Sequence, residues 1–261
     1  LRVKIVVLVK RVPDTASVFK IAGDNKSIDT TGLKFVMSPY DEYAVEAAIQ
    51  LKEAGKAEEV IVMTLGAAES AEVMRVALAM GADSGVLVSG PGTENLSGKG
   101  AAEVLAAAIR PLGASLILAG KQAVDDDSAQ VPERIAELLE LPHASVVSQM
   151  SLDGGTAVVD REIEGGKYTL ALPLPAVVTI EKGINTPRYP TLPNIMKAKK
   201  KPIDEKNIAG LGLDAAALAP SVAVASMSLP RQDRLTKVLD GDTAARVQAL
   251  VKALKEDEKV L

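Results

Sequence analysis

The chain has 261 residues, a formal net charge of −4, 25% charged residues and only 2% aromatic ones. It has no Cys, no Trp and a single His, His143, which excludes thiolate chemistry, disulfides and Cys-ligated metal or iron–sulfur centres. The acidic balance and scarce aromatics also argue against a nucleic-acid partner, which needs a basic footprint and stacking rings.

Lys4–Val9 is a short apolar, β-branched run and reads as a strand buried on both faces. The segment from Leu1 is similar to a signal peptide, but its apolar part is short and no small-residue cleavage site precedes Lys10-Arg11. Residues Lys10 to Met37 read as a polar loop. Asp41–Ala54 has apolar residues at helical spacing, with Gly55 suited to end it. Strands are expected at Glu59–Thr64, Ser84–Val88 and Ala114–Ala119. Helices are expected at Ser70–Met80, at Gly100–Ile109 before Pro111, and from about Pro132 to Leu141. This alternation predicts an α/β fold: a mostly parallel sheet flanked by helices. Ala144–Gln149, Thr156–Ile163 and Lys167–Leu172 are strand-like and separated by Gly-Gly turns; with the apolar run Pro175–Ile180 they read as an antiparallel extension. From Lys182 the chain is rich in Pro and small residues and reads mostly as loop. A final helix at Asp242–Lys255, capped by Thr243, carries an apolar stripe of Ala244, Val247, Leu250, Val251 and Leu254. A long connection before an amphipathic end helix reads as an arm that packs on another chain.

In parallel sheets, ligands bind beyond the carboxyl ends of the strands. The richest loop there is Gly120, Lys121, Gln122, Ala123, Val124, Asp125, Asp126, Asp127, Ser128, Ala129, Gln130 and Val131. Gly120 permits close backbone approach, Ser128 can cap the next helix, and the helix amides near Gln130 can take a phosphate. Two other readings stay open: a plain polar connection, or a divalent cation on Asp125–Asp127. There is no Gly-x-Gly-x-x-Gly after the first strand and no Walker lysine motif. Lys10-Arg11 either meets a phosphate or is a surface pair. Farther on, Leu192, Pro193, Ile195 and Met196 precede a basic run that includes Lys197 and Lys200. This suits docking onto an acidic protein with an apolar pocket, unless Leu192 and Met196 tuck into the home core.

Several blocks in order carry a resemblance. They are Val9-Lys10-Arg11-Val12-Pro13-Asp14, Met37-Ser38-Pro39-Tyr40-Asp41-Glu42, Ala77-Leu78-Ala79-Met80-Gly81-Ala82-Asp83, Gly120 through Asp127, Arg161-Glu162-Ile163-Glu164-Gly165-Gly166, and Pro187-Arg188-Tyr189 through Lys201. Along nearly its whole length the chain resembles the β subunit of electron transfer flavoprotein. The resemblance implies an adenine-nucleotide-type domain over residues 1–184, a partner-recognition loop over 185–203, and an arm over 204–261 that packs on an α subunit. It implies structural AMP held by Leu8, Ser38, Pro39, Tyr40, Asp41, Leu65 and the Gly120–Val131 loop, and an FAD carried mainly by the α subunit. The implied partners are acyl-CoA dehydrogenase-type flavoproteins, with Leu192 inserting into them, and a membrane quinone oxidoreductase. The implied place is the cytoplasm of a bacterium or archaeon, or the mitochondrial matrix. No residue of this chain is expected to be catalytic, and no metal is expected. The alternatives are a bifurcating subunit that holds a second FAD and uses NADH, and a stand-alone nucleotide-binding module. Departures from the family pattern are Pro132 in place of Gly, Thr15 where some members place a Tyr against the flavin, and Asp126 where bifurcating members place Gly.

Overall fold

The structure, a computed structural model, describes residues 3–94, 96–230 and 236–261. They form two compact units. The larger runs to Phe19 and then from Thr30 to Ala225; the smaller joins Lys20–Asp29 to Ser226–Leu261.

The larger unit is built on a nine-stranded sheet. Its strands in chain order are β1 (Lys4–Leu8), β4 (Glu59–Leu65), β5 (Ser84–Val88), β6 (Leu116–Gly120), β7 (His143–Asp153), β8 (Thr156–Ile163), β9 (Gly166–Pro173), β10 (Ala176–Ile180) and β11 (Ile203–Lys206). The spatial order is β11-β5-β4-β1-β6-β10-β7-β8-β9, parallel except for the antiparallel β7-β8-β9 meander. Helices α1 (Pro39–Glu53), α2 (Ala71–Met80), α3 (Gly98–Ile109) and α4 (Val131–Leu139) cover it. Alternate residues of the central strands feed two cores. Ile5, Val7, Val60, Val62, Leu116 and Leu118 join Ala44, Val45 and Ala48 of α1 and Met74, Ala77 and Leu78 of α2. Val6, Leu8, Ile61, Met63, Ile117 and Ala119 join Ala102 and Leu105 of α3 and Ile135 of α4. The β-branched runs are thus explained by burial on both faces. Small alanines on the helices let them lie close to the sheet.

Several expectations are corrected. The polar loop Lys10–Met37 contains a two-stranded antiparallel sheet, β2 (Arg11–Pro13) with β3 (Phe35–Met37). Arg11 explains its place: the guanidinium carbon lies 3.9 Å from the centre of the Phe35 ring. The run at Pro175–Ile180 is not part of the antiparallel extension. β10 lies parallel to both β6 and β7, because its five residues are all buried and need covering on both faces. Residues 192–198, within the expected recognition loop, form helix α5 (Leu192–Ala198), with Pro193 in its first turn where a missing N–H costs nothing. β11 adds an edge strand to the sheet, and Ile208 and Leu218 are buried in the second core, so packing in this unit continues well past residue 204. Lys201 is not a solvated member of the basic run. Its ammonium donates to the carbonyls of Leu78 and Ala82 at the end of α2, and burial lowers its pKa.

In the smaller unit Ile21 bridges Ile28, and the Met227 N–H donates to the Asn25 carbonyl at 2.7 Å. Helix α6 (Thr243–Lys252) is capped by Asp242, whose side chain accepts the Ala245 N–H at 2.8 Å, not by the expected Thr243. The helix runs on into a π-helical turn at Ala253–Asp257. Val247, Leu250 and Val251 of the apolar stripe are exposed.

Candidate functional site

A cavity of about 420 Å³ opens at the carboxyl ends of β1, β4 and β6. Its floor is apolar: Leu8, Met63, Leu65 and Ala119 from the strands, with Leu96 ahead of α3 and Ala101 and Leu105 within it. The strand residues share one face of the sheet because they sit at matching positions of the pleat; Leu8 is opposite Met63 in register. The rim is polar and comes from Lys10, Asp41 and the β6–α4 loop.

Asp41 sits in the first turn of α1 and is only 6% exposed. One carboxylate oxygen accepts the Lys10 N–H at 2.7 Å, and the other accepts the Gly120 N–H at 3.1 Å. It therefore ties the ends of β1 and β6 together. Burial pushes its carboxyl up to about 7; the two amide bonds and the Lys10 ammonium oppose that shift, and Asp125 adds to it.

The Lys10 ammonium reaches the β6–α4 loop, 2.9 Å from Asp125 and 3.4 Å from Asp126. Asp126 also accepts the Ser128 N–H at 3.1 Å. Burial works against ionisation of Asp126, but the Ser128 amide and Lys10 outweigh it and hold its carboxyl below the usual carboxylate range. Asp127 turns elsewhere, to the Gln122 amide at 2.8 Å. Asp125 and Asp126 thus share the Lys10 ammonium while Asp127 turns to Gln122, so the three carboxylates do not converge on one point. Among the described residues, no group of three or more His, Cys, Asp or Glu side chains could hold a metal ion. Lys121 pairs with Glu181 at 2.7 Å, which raises its pKa, and its ammonium lies 5.0 Å from the centre of the Tyr40 ring. Asp127 and Ala129 have φ of 49° and 45°, a left-handed backbone that a non-glycine residue adopts only under local constraint.

Of the residues expected at this site, Leu8, Asp41, Leu65, Gly120, Lys121, Gln122, Ala123, Asp125, Asp126, Ser128, Ala129, Gln130 and Val131 line the cavity. Ser38, Pro39, Tyr40, Val124 and Asp127 are not among its lining residues. Two roles change. A Cβ on Gly120 would lie 2.6 Å from Asp41 and from Tyr40, so its missing side chain makes room for α1. Ser128 does not cap α4; Gln130 is the N-cap residue, without a side-chain cap bond, and its amide oxygen accepts from Arg134 at 2.9 Å. The sequence leaves Lys10 open between a phosphate contact and a surface pair, places Met63 in a strand and Ala101 and Leu105 in a helix, and gives no sign of Leu96. Alternation along β4 was the one signal that could have found Met63.

On α5, Leu192 is 72% exposed, and Pro193, Ile195, Met196, Lys197 and nearby Lys200 are exposed too. Ala198 alone turns inward. Leu192 and Met196 therefore do not tuck into the home core.

Residues 26–211 match the electron transfer flavoprotein domain family. The chain belongs to the electron transfer flavoprotein β-subunit family. It is 45% identical over 215 residues to the electron transfer flavoprotein subunit β of Bradyrhizobium diazoefficiens, covering 82% of this chain and 85% of the relative. The mouse subunit β is 44% identical over 228 residues, covering 87% and 88%. The Bacillus subtilis subunit β is 36% identical over 261 residues, covering 98% of each chain. Among the described residues, no helix is long and apolar enough to cross a membrane.

Proposed function

We propose that this β subunit pairs with an α subunit as a heterodimeric electron carrier. It binds AMP as a structural nucleotide, helps enclose an FAD held mainly by the α subunit, and docks acyl-CoA dehydrogenase-type flavoproteins through α5. Electrons then pass to a membrane quinone oxidoreductase. The proposed compartment is the bacterial or archaeal cytoplasm, or the mitochondrial matrix.

The observation that carries this reading is the cavity. Its apolar floor suits the faces of a purine, and its rim of loop backbone suits ribose and phosphate. At about 420 Å³ it lies near the small end of the ~300–1,000 Å³ range of ligand pockets, which suits a mononucleotide better than a dinucleotide. Asp126, engaged with Lys10 and Ser128, puts a side chain on the rim where a longer ligand would have to pass, which favours the mononucleotide. When bound, FAD supplies the redox chemistry. This chain binds, orients and excludes water, and none of its side chains takes a catalytic step. The exposed stripe of α6 fits an arm covered by the α subunit.

The test is to co-purify the chain with its α subunit, denature the complex and quantify the released nucleotides. About one FAD and one AMP per heterodimer is expected, one nucleotide for each proposed site. Two FAD and no AMP would overturn the reading in favour of a second FAD in this subunit. A stable monomer that ignores the α subunit in gel filtration would favour a stand-alone nucleotide-binding module.

A further inference from the structure

Seven-residue helices are marginal on their own, because the first turn fixes several residues for one hydrogen bond. α5 is that short and exposes Leu192, Ile195 and Met196, so something outside it must hold its conformation. The chain on either side of it is gripped by an arginine.

On the C-terminal side, Arg75 of α2 donates from one nitrogen to the carbonyls of Ala198 and Lys201, both at 2.7 Å. On the N-terminal side lies Arg188. Its Nε and Nη2 donate to the two oxygens of Glu46 at 2.8 and 2.9 Å. Its Nη1 and Nη2 donate to the two oxygens of Glu53 at 2.6 and 2.8 Å. Its backbone N–H adds a bond to Glu46 at 3.2 Å, and nearby Asn185 donates to the Tyr43 carbonyl at 2.9 Å. Glu46 and Glu53 stand two turns apart on α1, so one planar guanidinium spans both. The Glu46 carboxylate is 3% exposed, and Gln50 also donates to it. Removing Arg188 would leave that buried charge without its cation. The grip is more than a surface pair would need.

We infer that Arg188 is a positioning residue for partner docking: clamped on Glu46 and Glu53 of α1, it fixes the entry to Tyr189–Ala198 so that Leu192, Ile195 and Met196 meet the partner already ordered. The inference rests on the docking role proposed for α5. Preorganisation of this kind lowers the ordering penalty of association without adding a contact. A lysine cannot substitute, since an ammonium is a point charge and cannot make paired bonds to two carboxylates in one plane.

The test uses Arg188→Lys and Arg188→Gln in the complete complex with the α subunit, reduced by a flavoprotein acyl-CoA dehydrogenase. The KM for the complex is expected to rise about tenfold, the size expected when charge-assisted bonds are lost. The kcat and the flavin and nucleotide contents stay at wild-type values, and amide exchange accelerates over 189–198 but not in the middle of α1. A wild-type KM in a folded, cofactor-loaded Arg188→Lys complex would overturn the assignment. Leu192→Ala, measured beside it, separates the two layers. If it raises KM while Arg188→Lys does not, only the role of Arg188 fails. If it leaves KM unchanged, the docking reading fails and this inference with it. Should the Arg188 variants not assemble, Glu53→Gln decides, because it removes only the exposed arm of the clamp. A smaller rise in KM supports the assignment, and an unchanged KM overturns it.

Discussion

The Asp41 carboxylate accepts the backbone N–H of Gly120 at 3.1 Å, across 79 residues of chain, while its other oxygen holds the N–H of Lys10. A side chain in the first turn of α1 therefore sets the spacing of two strand ends that frame the cavity. The charged groups facing Asp41 are Lys10 and, across the rim, Asp125; Lys121 directly follows Gly120 and pairs with Glu181, and Asp126 follows Asp125 in the same loop.

The pH dependence has a definite sign. The Asp41 carboxyl is raised from 3.8 to about 7 by burial, so the folded chain binds this proton more tightly than the unfolded one. Its contribution to stability is fully present below the unfolded pKa and is lost as pH rises from about 4 through about 7. The amide protons of Lys10 and Gly120 should shift together in NMR with a midpoint near 7. Two independent midpoints, or none between pH 5 and 9, would remove the coupling.

Gly120→Ala should destabilise the larger unit. The added Cβ would meet Asp41 Oδ1 and Tyr40 Cβ at 2.6 Å, so α1 must shift to admit it. Overpacking of this kind costs about 1–3 kcal/mol. Urea denaturation measures it, and a loss below about 0.5 kcal/mol, the range of ordinary surface changes, would show that α1 can give way.

Leu192→Ala should weaken partner docking by about 2 kcal/mol, as truncation of a central apolar anchor does. The side chain is exposed in the isolated subunit, so the melting temperature should hardly move. Kinetics with a reduced dehydrogenase and thermal melts on one preparation give both numbers.

Leu250→Asp tests the arm. Leu250 is exposed on α6, so the change should alter the stability of the isolated chain by no more than about 0.5 kcal/mol. Co-purification with the α subunit should fall sharply, because a carboxylate would enter a desolvated contact. Undiminished recovery of the complex would mean that this stripe is not the contact.

Much of the fold was legible because burial writes itself into residue type. Lys4–Leu8, Ser84–Val88 and the Ala-rich α3 are visible as runs that only a covered sheet would tolerate. The place of β10 was not legible. Ala176–Ile180 announces burial, but its neighbours are chosen by partners far along the chain. β2 and β3 have three residues each, too few to show a period. At the cavity, the loop and Asp41 stood out as a block, yet what Asp41 does depends on two amides that no spacing reveals. Arg188 stands in the sequence only as one member of the Pro187-Arg188-Tyr189 block, since its carboxylates lie 142 and 135 residues away.

The position of β10 also governs the order of synthesis and folding. β10 is the tenth strand in the chain, yet it separates β6 from the whole β7-β8-β9 meander. Until residues 176–180 leave the ribosome, β6 has an open edge and the meander has no parallel neighbour to join. An incomplete nascent chain therefore carries two unpaired β edges at once, the condition that favours intermolecular pairing. A chain arrested before Ala176 has emerged from the ribosome should recruit chaperones, whereas one arrested once Ile180 has emerged should hold β10 paired between β6 and β7.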